Sequence, residues 1–221
     1  MNNKSFCIIG LGSFGQSLAL ELAASGSQVM VVDVDENKVN LVADYVTNAI
    51  IGDPTNERFL ESSGIKDYDT VVICLANNIN SSILLTVNLK ELGVGRIVTR
   101  ASSEIERKIL KKVGADLVVF PEKDVAEKIA TMLSKSKVLD YIELSDTHSI
   151  VEIPVLDKWL GKSLVEINVR RQYGVNVIAI KTAESTKMNI TFDPAYKFRS
   201  GDVVTAVGEV GNIDKMIKDV K

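Results

Sequence analysis

The stretch CIIGLGSFGQSLALELAASGSQVMVVDVDENK, residues 7–38, constrains the fold more than any other part of the chain. An apolar run leads into Gly10-Leu-Gly12-Ser-Phe-Gly15, a helical pattern follows, and a second apolar run closes on Asp33. A strand, then G-x-G-x-x-G, then a helix is the setting in which that spacing has mechanical meaning. Gly10 permits the tight turn, Gly12 lets backbone N–H groups approach a pyrophosphate, and Gly15 lets the helix pack on the strand. The helix N-terminus then favours an anionic group. Asp33 lies 18 residues beyond Gly15, where a carboxylate accepts hydrogen bonds from ribose hydroxyls. Asp33 and Asp35 together would repel a 2′-phosphate, which disfavours NADP. The alternative is that the glycines serve only close strand–helix packing.

Beyond this stretch the alternation continues. Strands are expected at Phe6–Ile9, Val29–Asp33, Asn48–Ile51, Thr70–Ala76, Arg96–Ala101 and Asp116–Phe120, with helices near 14–25, 36–44, 55–63, 79–92 and 103–113. In the fourth helix Ile79, Ile83, Leu84, Val87 and Leu92 recur at helical spacing before a stopping Gly93. Strands that are apolar throughout, each followed by a helix, indicate a parallel sheet covered on both faces. The expected fold is therefore α/β, a Rossmann-like doubly wound sheet with the first strand central. A helical stretch after Pro121 leads into a polar, less regular passage, and the pattern then changes. SIVEIPV, VNVIAIKT, MNITFD and DVVTAVG read as strands, SLVEINVRRQYG and GNIDKMIKDV as helices, with hairpin signals rather than crossovers. The expected division is a nucleotide-binding domain over 1–133, a linker over 134–148, and a small α+β domain over 149–221. GDPTN, residues 52–56, follows the third strand, where an adenine should lie, so Asp53 is an adenine contact or the N-cap of the next helix.

The formal net charge of −3 argues against a nucleic-acid binder, which would carry a basic face. No apolar run approaches the roughly 20 residues that span a bilayer, and Met-Asn-Asn-Lys-Ser leads straight into a strand, so no signal peptide is expected. Cys7 and Cys74 fall inside expected strands and read as buried free thiols, with metal ligation or a thiol nucleophile as the alternative. A dehydrogenase needs a proton donor or acceptor beside the nicotinamide. The single histidine, His148, falls in the expected linker, and no tyrosine is followed four residues later by lysine. The chain reads as a nucleotide holder rather than an enzyme, with a small NAD-dependent oxidoreductase as the alternative.

Several segments in order, among them IIGLGSFG, VVDVDENKV, IGDPTNE, KKVGADLVVFPEKDVAEKIA and VLDYIELSDTHSIVEI, resemble the cytosolic RCK (regulator of potassium conductance) subunits of bacterial Ktr/Trk potassium uptake systems. The likeness covers essentially the whole chain and is nearest the Ktr type, with one N-terminal and one RCK C-terminal domain. It implies a homodimer assembling into an octameric ring on the inner face of the cell membrane, docked on a potassium-translocating subunit. It also implies ATP or ADP as ligand, with NAD(H) a further candidate, ATP favouring the conducting state and ADP the inactive one. Carried over by residue, Gly10, Leu11, Gly12, Ser13, Phe14 and Gly15 form the phosphate turn. Asp33, Asp35 and Lys38 stand on the ribose side and Asp53 by the adenine. Ala76, Asn78 and Arg100 lie at the ends of the fourth and fifth strands, beside the nucleotide.

The resemblance further makes Glu122, in FPEKD, the ligand of a divalent or monovalent cation held between two subunits; read from the residues alone, Glu122 is a helix N-terminal charge. The family usually carries arginine at position 13, reaching toward a γ-phosphate, and serine has no charge to offer. Arg100 is the best remaining cation. If neither Arg100 nor an ion near Glu122 compensates, ATP and ADP should bind within about tenfold of each other. Finally, Val169, Arg170, Asn176, Val177, Ile178 and Pro194 match a surface that binds cyclic di-AMP across a C-terminal dimer. The alternative is that these β-branched residues are simply core.

Overall fold

The computed structural model describes residues 4–75, 78–134 and 138–219. The chain divides into two compact units, Met1–Glu122 and Lys123–Lys221.

The first unit alternates strand and helix: β1 (Ser5–Ile9), α1 (Ser13–Ala24), β2 (Gln28–Asp33), α2 (Glu36–Val42), β3 (Asn48–Ile51), α3 (Glu57–Ser62), β4 (Thr70–Ile73), α4 (Ile79–Glu91), β5 (Ile97–Arg100), α5 (Glu104–Lys112) and β6 (Leu117–Val119). All six strands are parallel, in the order β3-β2-β1-β4-β5-β6. The first strand is central, as the doubly wound pattern requires. Successive side chains leave opposite faces of a strand, and that explains why the strands are apolar without interruption. Cys7, Ile9, Met30, Val32, Val71 and Ile73 pack on one side with Leu60 of α3 and Leu85 and Leu89 of α4. Ile8, Val29, Val31 and Val72 pack on the other with Ala19 of α1 and Val39 and Val42 of α2.

The fourth helix turns differently from its expected apolar stripe. Its buried positions are Ser82, Leu85, Thr86, Asn88 and Leu89, while Leu84 is 45% exposed. The Thr86 hydroxyl donates to the Ser82 carbonyl at 2.7 Å, so that buried polar group is satisfied along the helix itself. Strand ends also fall short of expectation. β4 stops at Ile73 rather than residue 76, and Asp116 lies outside β6, where its carboxylate accepts from the Ile97 N–H at 2.7 Å and pairs with Lys90 at 3.1 Å.

α6 (Pro121–Ser134) begins where the first unit ends, and none of its residues is buried. The second unit then forms β7 (Asp140–Glu143), β8 (His148–Pro154), α7 (Leu164–Ile167), α8 (Val169–Tyr173), β9 (Asn176–Lys181), β10 (Val203–Glu209) and α9 (Val210–Lys218). Its sheet is antiparallel, in the order β7-β8-β10-β9. Trp159, Tyr173 and Phe198 form the aromatic centre of its core, with Trp159 centroids 6.1 Å from Tyr173 and 5.8 Å from Phe198.

Three expectations for this region need correction. The passage 134–148, expected as a linker, contains β7, whose Ile142 pairs with Ile150 of β8. Residues 163–174 are two short helices, broken where Asn168 adopts φ 52°. MNITFD is no strand; Asn189 makes a single bridge to Ile180.

Candidate nucleotide-binding site

The glycine turn joins β1 to α1 at the carboxyl end of the sheet. The strand order reverses between β1 and β4 there, which opens a crevice. Gly10 has φ +94°, and a Cβ there would sit 2.9 Å from Leu75 and 3.2 Å from the Cys74 backbone. At Gly15 a Cβ would lie 2.0 Å from the Gly10 carbonyl oxygen, so the helix could not start where it does. An added Cβ at Gly12 would meet nothing of the chain within 4 Å. Gly12 is therefore bare toward the crevice. It is also the N-cap of α1, which has no side-chain cap and no acidic residue in its first turn. Open backbone N–H groups at an unneutralised helix N-terminus suit a phosphate.

Asp33 organises this turn. It is 8% exposed, its Oδ2 accepts from the Leu11 N–H at 2.6 Å, and its Oδ1 accepts from the Asp35 N–H at 2.9 Å. A carboxylate has about four acceptor positions, so these two bonds leave capacity for ribose hydroxyls. The Asp33 carbonyl also accepts from the Gly52 N–H at 3.0 Å, which brings the GDPTN loop alongside. Asp53 Oδ1 accepts from the Thr55 hydroxyl at 2.6 Å and the Thr55 N–H at 2.9 Å; those bonds hold its carboxyl below the usual range. Asp53 is not the cap of α3. Asn56 is, accepting from the Arg58 and Phe59 N–H groups.

The remaining expected residues take varied places. Leu11 is fully buried in the core, so it offers the site no side chain, and its N–H is committed to Asp33. Ser13 is exposed at the start of α1 and Phe14 is half-buried beside it. Asp35 caps α2 through the Asn37 N–H and pairs with Lys38 at 3.7 Å. Asn78 caps α4 through the Ser81 N–H at 3.1 Å; Ala76 lies outside the described residues. Arg100 is ion-paired with Glu122. Sequence reading missed two supports. Gln16 Nε2 donates to the Leu11 carbonyl at 2.8 Å and braces the turn. Gly52 leaves room for Phe59, whose ring would lie 2.2 Å from a Cβ there.

The thiols are not poised for chemistry. Burial pushes Cys74 up to about 12, against a smaller opposing influence of Arg100, and pushes Cys7 higher still. Both stay protonated at neutral pH and cannot act as thiolates. Among the described residues no group of three or more His, Cys, Asp or Glu is placed to hold a metal.

Two domain families match the chain: the TrkA-N domain over residues 6–121 and the TrkA-C domain over 148–221. Ktr system potassium uptake protein C of Bacillus subtilis (strain 168) is 39% identical over 217 residues, covering 98% of this chain and 97% of that one. The chain belongs to the TrkA-type (RCK) regulatory family of Ktr potassium uptake systems. Ktr system potassium uptake protein A of the same organism is 44% identical over 181 residues, 82% of each chain. Among solved structures, GsuK bound to ADP is similar over 61% of this chain, with 26% identity and a TM-score of 0.53; the match spans 35% of the GsuK chain. This RCK family is regulatory rather than enzymatic, so the oxidoreductase alternative loses its ground. No described helix of this RCK protein is long and apolar enough to cross a membrane.

The second unit carries a shallow cavity of about 190 Å³, lined by Val169, Arg170, Asn176 and Val177 together with Leu164, Asn168 and Val175. Four of the six residues expected there thus come together. Ile178 and Pro194 do not line it; both are exposed elsewhere on the surface of this unit. Val169 is buried, so the core reading holds for that residue, while Arg170 and Asn176 are exposed. His148, expected in the linker, is exposed and begins β8, its Nδ1 2.9 Å from the Thr147 hydroxyl.

Proposed function

We propose that this protein is a cytosolic subunit that gates a membrane potassium-translocating partner of Ktr type in response to an adenine nucleotide held at the Gly10–Gly15 turn. The observation that carries the reading is the Asp33 carboxylate, which fixes the turn through the Leu11 and Asp35 N–H groups and still has acceptor capacity. The similarity to GsuK bound to ADP supports the ligand class. ATP and ADP are the proposed physiological pair, with NAD(H) as competitor, and the subunits assemble as dimers into an octameric ring at the inner face of the membrane. Gating needs no reaction on the nucleotide; it needs only different affinities in the conducting and closed states.

The cavity at Arg170 supports a second ligand, cyclic di-AMP. Its β-branched walls would cover a base and the guanidinium would meet a phosphate.

The test has two parts. Calorimetric titration of the purified protein with ADP, ATP and NADH should show one adenine-nucleotide site per chain. Potassium flux into vesicles carrying the Ktr-type membrane subunit should then depend on this protein and on which nucleotide is present. Nucleotide binding with flux indifferent to the nucleotide would overturn the gating proposal.

A further inference from the structure

The parallel register of β5 and β6 sets Arg100 opposite Val119. The chain leaves β6 one residue later and starts α6 at Pro121, so Glu122 falls in the first turn of that helix, beside the end of β5. There the Arg100 guanidinium and the Glu122 carboxylate form an ion pair. The two side chains are unequally wet: Arg100 is 16% exposed and Glu122 57%. Among the described residues the buried Arg100 Nε has no hydrogen-bond partner. On the other side, Thr99 is in register with Ile73, which sets Cys74, the next residue of that chain, beside Arg100; a protonated thiol provides no counter-charge. A guanidinium this far out of water needs an anion, and removing that anion leaves a buried charge uncompensated.

A metal ion at Glu122 does not fit this arrangement. It would have to share one carboxylate with a guanidinium, charge against charge, or displace it and strand Arg100.

We infer that Arg100 is a built-in cation: it supplies from within the chain the positive charge that Glu122 would otherwise take from a bound metal ion. Glu122 is then a counter-ion that holds Arg100 at the rim of the sheet. Nucleotide binding at the glycine turn, for which this inference rests on the function proposed above, proceeds without a divalent ion at that carboxylate.

The experiment is Mn²⁺ titration of the nucleotide-free full-length protein, followed by electron paramagnetic resonance, for the unaltered chain, Glu122→Gln, Arg100→Met and the double variant. Methionine keeps the buried stem and removes the charge. The unaltered chain and Glu122→Gln should bind Mn²⁺ equally weakly. Arg100→Met should bind it at least tenfold more tightly, and the double variant should lose the gain. Stoichiometric Mn²⁺ binding by the unaltered chain that Glu122→Gln abolishes would overturn the inference. So would an Arg100→Met protein, folded by circular dichroism, that gains nothing. Should Arg100→Met fail to fold, the comparison of the unaltered chain with Glu122→Gln still decides. A separate ADP titration with and without EDTA should give the same affinity within about twofold. A protein that binds no ADP at all would count against the regulatory reading and leave the Mn²⁺ result standing.

Discussion

Asp33 carries structure and, in the proposed site, recognition on one side chain. Its two oxygens hold the Leu11 and Asp35 N–H groups, so at the proposed site Asp33→Ala would remove a ribose contact and loosen the turn together. Charge-assisted hydrogen bonds contribute on the order of 1.5–3 kcal/mol, and the variant should bind ADP roughly 10- to 150-fold more weakly by calorimetry. Unchanged affinity would remove Asp33 from the site. Ser13 poses a question of selectivity. It is exposed at the first position of α1, and the best remaining candidate cation, Arg100, is committed to Glu122. With neither residue free to meet a γ-phosphate, ATP and ADP should bind within about tenfold of one another, a gap under roughly 1.4 kcal/mol. Ser13→Arg should widen that gap in favour of ATP. A large preference for ATP in the unaltered chain, indifferent to Ser13→Arg, would place the discriminating charge elsewhere.

At the scale of elements, what could be read in the sequence followed from how each element is buried. β1, β2 and β4 were legible because a strand covered on both faces must be apolar without a break, and Gly10 and Gly15 because contacts near 2–3 Å forbid any side chain. β7 was not legible. Asp140, Tyr141, Ile142 and Glu143 sit half-buried or exposed in a polar passage, and only pairing with β8 makes them a strand. MNITFD misled in the other direction: its alternation of Met188, Ile190 and Phe192 has the right period, yet Met188 and Ile190 are exposed. The Arg100–Glu122 pair needed the register of two strands before residues 22 apart could be seen to meet. The break between α7 and α8 gives this scale its predictions. Asn168 holds φ 52°, a left-handed conformation that asparagine tolerates and a β-branched residue does not. Asn168→Val should destabilise the second unit by about 1–2 kcal/mol in urea, with Asn168→Gly near neutral. Asn168→Val as stable as the parent would mean the break is not needed. On the adjoining helix, Arg170→Ala should weaken cyclic di-AMP at least tenfold in calorimetry, and wild-type binding would count heavily against the cavity as its site.

The whole molecule offers a probe of its own, because its single tryptophan, Trp159, is 1% exposed in the core of the second unit. A ligand that binds only folded protein stabilises it by about 2.7 kcal/mol at a hundredfold excess over its dissociation constant. Saturating ADP should therefore raise the denaturant midpoint followed by far-ultraviolet circular dichroism and leave the Trp159 fluorescence midpoint in place. Cyclic di-AMP should move the fluorescence midpoint. Movement of the tryptophan signal with ADP would mean that the two units, compact as each is, unfold as one. The Asp33 bonds also have a consequence in time. Because the chain's own Asp33 carboxylate holds the Leu11 and Asp35 N–H groups, nucleotides at the proposed site should meet a finished turn and associate at similar rates. Differences between them then fall on residence time. On the proposed gating role, such a regulator would lag the cell's nucleotide pool by the dwell of its last occupant, and that dwell would set how quickly potassium uptake could follow a change in energy supply.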